Sequence, residues 1–271
     1  MKARGVAWRI LQVLGVFYLM FAMFGCVTAD RLIFQPQAPS YSKELPGLKI
    51  IPAVDGTSLA VLHLPNASAP HTLFYFHGNA EDLGDVAPLL AAFHASGFAV
   101  LAFDYRGYGQ SGGRASEKNV YADTQAVLAY ARPELGVSPA RCVVVGRSVG
   151  TGPAVHLAAN EPVAGLVLVS PFKSAFRVVT GVRLLPFDRF NNLGQIGRVR
   201  CPVLVVHGTA DEVIPFEHGE AVFAAASEPK RSVWLEGVHH NDIFQIAGRK
   251  IAGEIATFTQ GLPAVPRTPQ R

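Results

Sequence analysis

Between residues 48 and 260, short apolar runs alternate with amphipathic stretches. The runs are rich in Val, Leu and Phe, which is typical of strands buried on both faces. They predict strands at 71–76, 98–103, 142–146, 165–170, 202–208 and 232–236. Helical periodicity predicts helices at 85–96, 117–131, 153–159, 216–227 and 242–260. Two further runs around Asp55-Gly56 predict a β-hairpin. This alternation predicts an α/β fold, with a mostly parallel central sheet and helices on both faces.

A different pattern occupies residues 1–27. The basic start MKARGVAWR precedes the apolar run ILQVLGVFYLMFAMFGC. That run is short beside the ~20 apolar residues of a spanning helix, and it fits the hydrophobic region of an export signal. Gly25 followed by Cys26 resembles a bacterial lipoprotein cleavage site, at which the cysteine is lipidated. We therefore predict an exported protein that is held at the membrane by its N-terminus and faces the periplasm or cell envelope. An uncleaved anchor and a plain cleaved signal are the alternatives.

The remaining boundaries follow from composition. Residues 28–47 are predicted to be an extended linker, 48–260 the folded domain, and the Pro-rich end 261–271 a disordered tail. Within the domain, the irregular, Phe- and Leu-rich segment 171–201 is predicted to be a short cap. Its apolar side chains suffice for a shallow groove rather than a closed tunnel.

Charge and cysteine content exclude several classes of protein. The formal net charge is +4, of which Lys2, Arg4 and Arg9 supply three, so no basic cluster indicates a nucleic-acid partner. Cys142 and Cys201 begin parallel strands that are separated by one other strand. They should lie about 10 Å apart, beyond disulfide reach. The cysteine spacing also indicates no metal site.

The stretch VVVGRSVGTG places Ser148 between Gly146 and Gly150, where a predicted strand meets a predicted helix. Such a sharp turn holds a serine hydroxyl above the end of a sheet, as a nucleophile elbow does. The backbone amide of Val149 would be one oxyanion donor. The amide of Asn79, which follows the strand 71–76, would be the second.

Two later strand ends supply the partners of a nucleophilic serine. Asp211 follows the strand 202–208 and is the predicted acid, with Glu212 as the fallback. His239 and His240 follow the strand 232–236, and one of them is the predicted base. Asp104 also follows a strand but precedes the serine, so we expect it to pair with Arg106 and shape its loop. Six further histidines are expected to lack partners: His63, His71, His94, His156, His207 and His218.

With these residues in place, the chain resembles the α/β-hydrolase superfamily over about residues 45–260. More narrowly, it resembles the lipid-anchored serine hydrolases that remove S-palmitoyl groups from proteins. The resemblance rests on HGNAEDLGD, FDYRGYGQSGG, GRSVGTG, PVLVVHGTADEVIPFEHG and WLEGVHHNDI. It implies Ser148 as nucleophile, Asp211 as acid and His240 as base, because the family's histidine directly precedes Asn-Asp.

The predicted activity is hydrolysis of acyl esters or thioesters at a membrane surface, on a small-molecule or protein-attached acyl substrate. It requires no cofactor and no metal. Two alternatives remain open: a serine aminopeptidase, and a non-catalytic binding protein built on a hydrolase scaffold. The complete set of three groups in the order Ser, acid, His favours an enzyme.

Overall fold

A computed structural model describes residues 2–182 and 184–263 of the chain. The strands are β1 (Leu48–Pro52), β2 (Ser58–Leu64), β3 (Thr72–Phe76), β4 (Ala99–Phe103), β5 (Cys142–Arg147), β6 (Gly165–Val169), β7 (Val203–Gly208) and β8 (Lys230–Leu235). The helices are α1 (Lys2–Ile33), α2 (Leu83–Ala95), α3 (Glu117–Leu135), α4 (Thr151–Asn160), α5 (Ala175–Thr180), α6 (Asn192–Gln195), α7 (Phe216–Ala225) and α8 (Ile243–Gln260).

The eight strands form one sheet in the order β1-β2-β4-β3-β5-β6-β7-β8. The pairs β1–β2 and β2–β4 are antiparallel, and every pair from β4 onward is parallel. This architecture confirms the predicted fold class. Because the carboxyl ends of parallel strands share one edge, the loops after β3, β5, β7 and β8 meet there.

Side chains alternate across the sheet and divide the core into two layers. On one face, Phe74 of β3 and Val144 of β5 belong to a layer with buried residues of α3, α4 and α7. On the other face, their neighbours Leu73 and Val143 belong to a layer with α2 and α8. The sheet is therefore covered on both sides, which accounts for the apolar runs that have no polar alternation.

The N-terminal helix differs from its prediction. Its apolar part, Trp8–Ile33, is 26 residues long, and within the described residues it is the one segment long and apolar enough to cross a membrane. Polar residues that follow the predicted apolar run, such as Thr28 and Asp30, also belong to the helix. Thr28 donates its hydroxyl to the carbonyl of Phe24 (2.7 Å), and Asp30 pairs with Arg189 (3.3 Å). The expectation that this segment is too short to span was wrong.

The predicted linker also differs. Helix α1 continues into it as far as Ile33, and the following residues pack against the domain. Phe34 is buried in edge-to-face contact with Tyr105, Tyr108 and Phe190. Tyr41 donates its hydroxyl to Asp104. The segment predicted as an extended linker therefore begins with the end of α1, and Phe34 and Tyr41 attach its remainder to the domain. The predicted tail lies outside the described residues from residue 264 onward.

Candidate active site

Ser148 stands at the turn between β5 and α4. Its φ of 52° lies in the left-handed region, which non-glycine residues seldom adopt. A tight turn over Ser148–Gly150 then leads into α4. A Cβ at Gly150 would overlap the carbonyl oxygens of Phe76 and His77, so the backbone can pass β3 this closely only as glycine. The local sequence therefore fixes the serine above the end of the sheet.

Ser148, His240 and Asp211 form a hydrogen-bonded chain. His240 Nε2 lies 3.1 Å from Ser148 Oγ, and His240 Nδ1 lies 2.8 Å from Asp211 Oδ2. A carboxylate only accepts hydrogen bonds, so the imidazole proton sits on Nδ1 and the Nε2 lone pair faces the hydroxyl. His240 and Asp211 are both buried. The structure thus brings together the three side chains that the sequence singled out, in the geometry required for serine activation.

Asp211 is held as an anion. Its Oδ1 accepts hydrogen bonds from the amides of Val213 (3.0 Å) and Ile214 (2.7 Å). Burial opposes ionisation, but the hydrogen bonds from His207, His240 and the backbone outweigh it and hold the pKa of Asp211 well below its ordinary value. The carboxylate therefore stays charged and can orient the imidazole of His240.

His239 and Glu212, the two alternatives left by the sequence, pair with each other instead. His239 Nδ1 lies 3.0 Å from Glu212 Oε2, and both side chains are more than half exposed. Neither side chain is hydrogen-bonded to Ser148. The geometry therefore favours His240 over His239 as the base, and Asp211 over Glu212 as the acid.

His207 is a contributor that sequence reasoning missed. It lies in β7, fully buried, with Nε2 2.9 Å from the carbonyl of Ile214 and 3.3 Å from Asp211 Oδ2. Because a carbonyl oxygen only accepts, Nε2 carries the proton. The expectation that the remaining histidines lack partners was wrong for His207. It was also wrong for His156, which stacks on Tyr121 with ring centroids 3.6 Å apart. His94 Nε2 lies 3.0 Å from the carbonyl of Pro65, and His218 Nδ1 accepts from the amide of Lys173 (3.2 Å), so the expectation was wrong for these two as well.

The residues predicted to supply the two oxyanion donors lie at the same cavity as the serine. Asn79, Ser148 and Val149 all border one cavity. The side chain of Asn79 is fixed, because its Oδ1 accepts from the amide of Gln35 (2.9 Å) and from the hydroxyl of Tyr108 (2.6 Å). The backbone amide of Asn79 thus belongs to an anchored loop, as a preorganised donor requires.

Ser148 lies where two cavities of different character meet. A cavity of about 350 Å³ is bordered mainly by apolar residues of α1, the cap and the loop after β7. A second cavity of about 340 Å³ is bordered by Glu81, Arg147, His240, Asn241 and Gln245, among others. His240 borders the polar cavity and not the apolar one. A group leaving toward the polar side would therefore meet the imidazole.

Arg147 and Glu81 form a pair at the polar cavity that the sequence did not reveal. Glu81 pairs with Arg147 and also accepts from the amide of Gly78 (2.8 Å). The guanidinium lies 5.6 Å from the ring centroid of Phe244 and donates to the carbonyl of His240 (3.4 Å). Arg147 therefore links the loop after β3 to the loop that carries the histidine.

The predicted pairing of Asp104 with Arg106 was wrong. Asp104 is fully buried, and it accepts from the amide of Leu83 (2.8 Å) and from Tyr41. The guanidinium of Arg106 instead donates hydrogen bonds of 2.7–3.0 Å to the carboxylate of Asp123 in α3. Leu83 belongs to α2 and Asp123 to α3, and these helices cover opposite faces of the sheet. The side chains of Asp104 and Arg106 therefore point in different directions.

No group of three or more His, Cys, Asp or Glu side chains among residues 2–182 and 184–263 is placed to hold a metal ion. Cys142 and Cys201 are free thiols, and burial raises the pKa of each to about 12. Neither is activated as a nucleophile.

Comparison with known proteins identifies a similar family and similar relatives. The family model described as serine aminopeptidase, S33, matches residues 67–186. Alpha/beta hydrolase domain-containing protein 17B of Homo sapiens is 40% identical over 182 residues, which cover 66% of this chain and 62% of that protein. Alpha/beta hydrolase domain-containing protein aho-3 of Caenorhabditis elegans is 41% identical over 184 residues, 66% of this chain and 54% of that protein. The chain thus matches less than two thirds of the length of these relatives.

Solved structures agree on the fold. An esterase of Pyrococcus furiosus superposes with a TM-score of 0.69 at 17% identity, covering 84% of this chain and 98% of that one. An esterase of Exiguobacterium antarcticum gives a TM-score of 0.64 at 17% identity, with coverage of 79% and 99%. At these identities the likeness shows a shared fold.

Proposed function

We propose that the chain is a serine esterase or thioesterase of the α/β-hydrolase superfamily that removes acyl groups at a membrane surface. One observation carries the proposal: Ser148 Oγ lies 3.1 Å from His240 Nε2, at the junction of an apolar and a polar cavity. An acyl chain fits the apolar side. A polar alcohol or thiol portion fits the side that His240 borders.

The proposed reaction follows from that arrangement. Ser148 Oγ attacks the acyl carbonyl carbon while its proton passes to His240 Nε2. Asp211 stabilises the imidazolium that forms, and the amides of Asn79 and Val149 stabilise the tetrahedral oxyanion. Collapse breaks the bond to the leaving oxygen or sulfur, which takes the proton from His240. Water, activated by the same imidazole, then releases the acid and restores the serine.

Loss of the nucleophile is the direct test. Ser148→Ala should lower p-nitrophenyl ester hydrolysis on the order of 10⁴-fold or more and abolish labelling by a fluorophosphonate. Ser227→Ala, at an exposed serine far along the chain from the elbow, is the matched control and should behave as wild type. Activity of Ser148→Ala within tenfold of wild type would refute the proposed nucleophile.

A serine aminopeptidase is the second candidate, because it is the description of the matching family model. The apolar cavity beside Ser148 favours acyl substrates instead. Aminoacyl amides and acyl esters with the same leaving-group size should separate the two, with esters cleaved faster. Faster cleavage of the amides would favour the peptidase.

We further propose that α1 is retained as a membrane anchor. The helix is continuous through Cys26, whose carbonyl accepts from Arg189 (3.4 Å), and Phe21 and Phe24 border the apolar cavity. Cleavage before Cys26 would remove both phenylalanines from that cavity. Lys2 and Arg4 precede the span and Arg9 lies at its N-terminal end, which favours placement of the domain on the side away from the cytoplasm.

Intact mass spectrometry of the membrane-extracted protein distinguishes the three N-terminal states. A mass that includes residues 2–25 supports the anchor. A mass that begins at Cys26 with added lipid supports lipidation of Cys26. A mass that begins beyond Cys26 supports a plain cleaved signal.

A further inference from the structure

One face of α1 borders the cavity that leads to Ser148. The bordering positions include 21, 24, 25, 28, 29 and 32, a spacing of three and four residues that marks a single stripe along a helix. The opposite wall is the cap, with Phe172, Phe176 and Leu185. The groove is thus built from two segments far apart in the sequence, one of them the proposed membrane helix.

The two ends of this groove can be placed. At its inner end, α1 finishes at Ile33, and Gln35 bonds Asn79 beside the serine. At its outer end, Tyr18 donates to the carbonyl of Leu184 in the cap (3.2 Å). From Phe21 to Ile33 the helix rises about 18 Å at 1.5 Å per residue. The groove therefore runs from Ser148 back along α1 toward its N-terminus.

The outer end of the groove lies at membrane depth. Trp8–Ile33 is about 39 Å long, whereas the hydrocarbon core is about 30 Å thick and takes about 20 residues. A span that begins at Trp8 would end near Val27. Phe21 and Phe24 would then lie within the bilayer, and Leu32 beyond it. Three apolar side chains of the cap are also exposed, Val179 (88%), Val182 (60%) and Leu184 (50%), as a surface that meets lipid would require.

We propose that this groove is the acyl-chain site. A fatty acyl chain enters it from the bilayer alongside the enzyme's own membrane helix, and Gly25 and its neighbours set the accepted chain length. The inference rests on the proposed serine hydrolase activity and adds the role of the membrane helix as one wall of the acyl site and the position that limits chain length. It changes the expectation from the sequence, in which the cap alone formed a shallow groove.

Chain length follows from helix geometry. An extended chain advances about 1.25 Å per methylene, from a carbon–carbon bond of about 1.5 Å and an angle near 111°. The 18 Å groove therefore holds about 14 carbons. Gly25 lies eight residues, or about 12 Å, from Ile33. A side chain at this position should block the groove beyond about ten carbons.

Gly25 is suited to this test because it faces the cap. A Cβ there would lie 3.0 Å from Leu185 Cδ1, whereas a Cβ at Gly15, on the same helix, would meet nothing within 4 Å. Gly25→Leu should therefore narrow the groove. Gly15→Leu makes the same change of helix propensity and hydrophobicity without touching it.

The experiment uses the full chain in lipid nanodiscs and a series of 4-methylumbelliferyl esters from C4 to C16. For wild type, kcat/KM should rise by up to about fourfold per methylene, which corresponds to ~0.8 kcal/mol, and level off near C14. Relative to wild type, Gly25→Leu should lose at least tenfold more activity on the C14 and C16 esters than on the C4 ester. Gly15→Leu should follow wild type. Adding Leu185→Ala to Gly25→Leu should restore part of the long-chain rate.

Three results would overturn the inference: an equal loss at C4 and C16 in Gly25→Leu, identical profiles for the two glycine variants, or a wild-type optimum below C8. None of these would affect the proposed nucleophile. Conversely, C4 hydrolysis that survives Ser148→Ala would refute the serine mechanism whatever the chain-length profile.

Discussion

Replacing His240 and His239 separately gives the sharpest test of the proposed triad. His240→Ala removes the group that lies between Ser148 Oγ (3.1 Å) and Asp211 Oδ2 (2.8 Å). Loss of a triad base costs on the order of 10⁴-fold or more in kcat, or at least ~5 kcal/mol of transition-state stabilisation. His239→Ala removes only an exposed contact to Glu212, so its rate should stay within about threefold of wild type.

The fold should survive both changes. Without His240, Asp211 keeps hydrogen bonds from the amides of Val213 and Ile214 and the nearby His207, so its charge remains compensated. The assay is p-nitrophenyl butyrate hydrolysis by the full chain in detergent, with thermal unfolding measured in parallel. A His239→Ala defect equal to that of His240→Ala, or a His240→Ala rate within tenfold of wild type, would refute the assignment of the base.

Three further outcomes are expected. Asp211→Asn should lower kcat by about 10⁴-fold in the ester assay. The new side-chain amide can donate to His240 Nδ1, which moves the imidazole proton to Nε2 and leaves no lone pair facing Ser148. Near-normal activity would contradict this. Gly150→Ala should yield little folded protein by circular dichroism, since its Cβ overlaps the carbonyl oxygen of Phe76, and a normal melting temperature would contradict the elbow geometry. Burial raises the pKa of Asp104 from about 3.8 to about 7, so between these pH values the folded protein retains a proton that the unfolded chain releases. The free energy of unfolding should therefore fall as pH rises from about 4 to about 7. Asp104→Asn should flatten that slope when it is measured by urea titration.

The strand-end residues could be predicted because their positions depend on local sequence. Each lies just past an apolar run, and parallel strands bring their carboxyl ends to one edge. The proximity of Ser148, Asp211 and His240 can therefore be predicted without knowledge of the loop conformations. The partners of Asp104 and Arg106 could not be found in this way, because they depend on which face of the sheet α2 and α3 cover.

The role of α1 was missed for a different reason. Hydropathy ends the apolar run at Cys26, since Thr28, Asp30 and Arg31 are polar. Thr28 bonds within the helix and Asp30 pairs with Arg189, a residue of the cap. A signal was nevertheless present in the spacing of Phe21, Phe24 and Gly25 with later residues of the helix, which indicates one continuous face.

The contacts at the end of α1 connect the proposed membrane helix to the loop that carries the proposed oxyanion donor Asn79. Phe34 is held among aromatic rings, and the next residue, Gln35, donates its amide to Asn79 Oδ1 (2.9 Å). Tyr108 donates to the same oxygen (2.6 Å) and to no other described acceptor, while its ring packs on Phe34. The residues that follow α1 therefore fix the side chain of Asn79. The backbone amide of Asn79 is the proposed oxyanion donor. A helix that only tethered the domain would not need to reach this loop, whereas a helix that guides an acyl chain must end where the carbonyl is to be held.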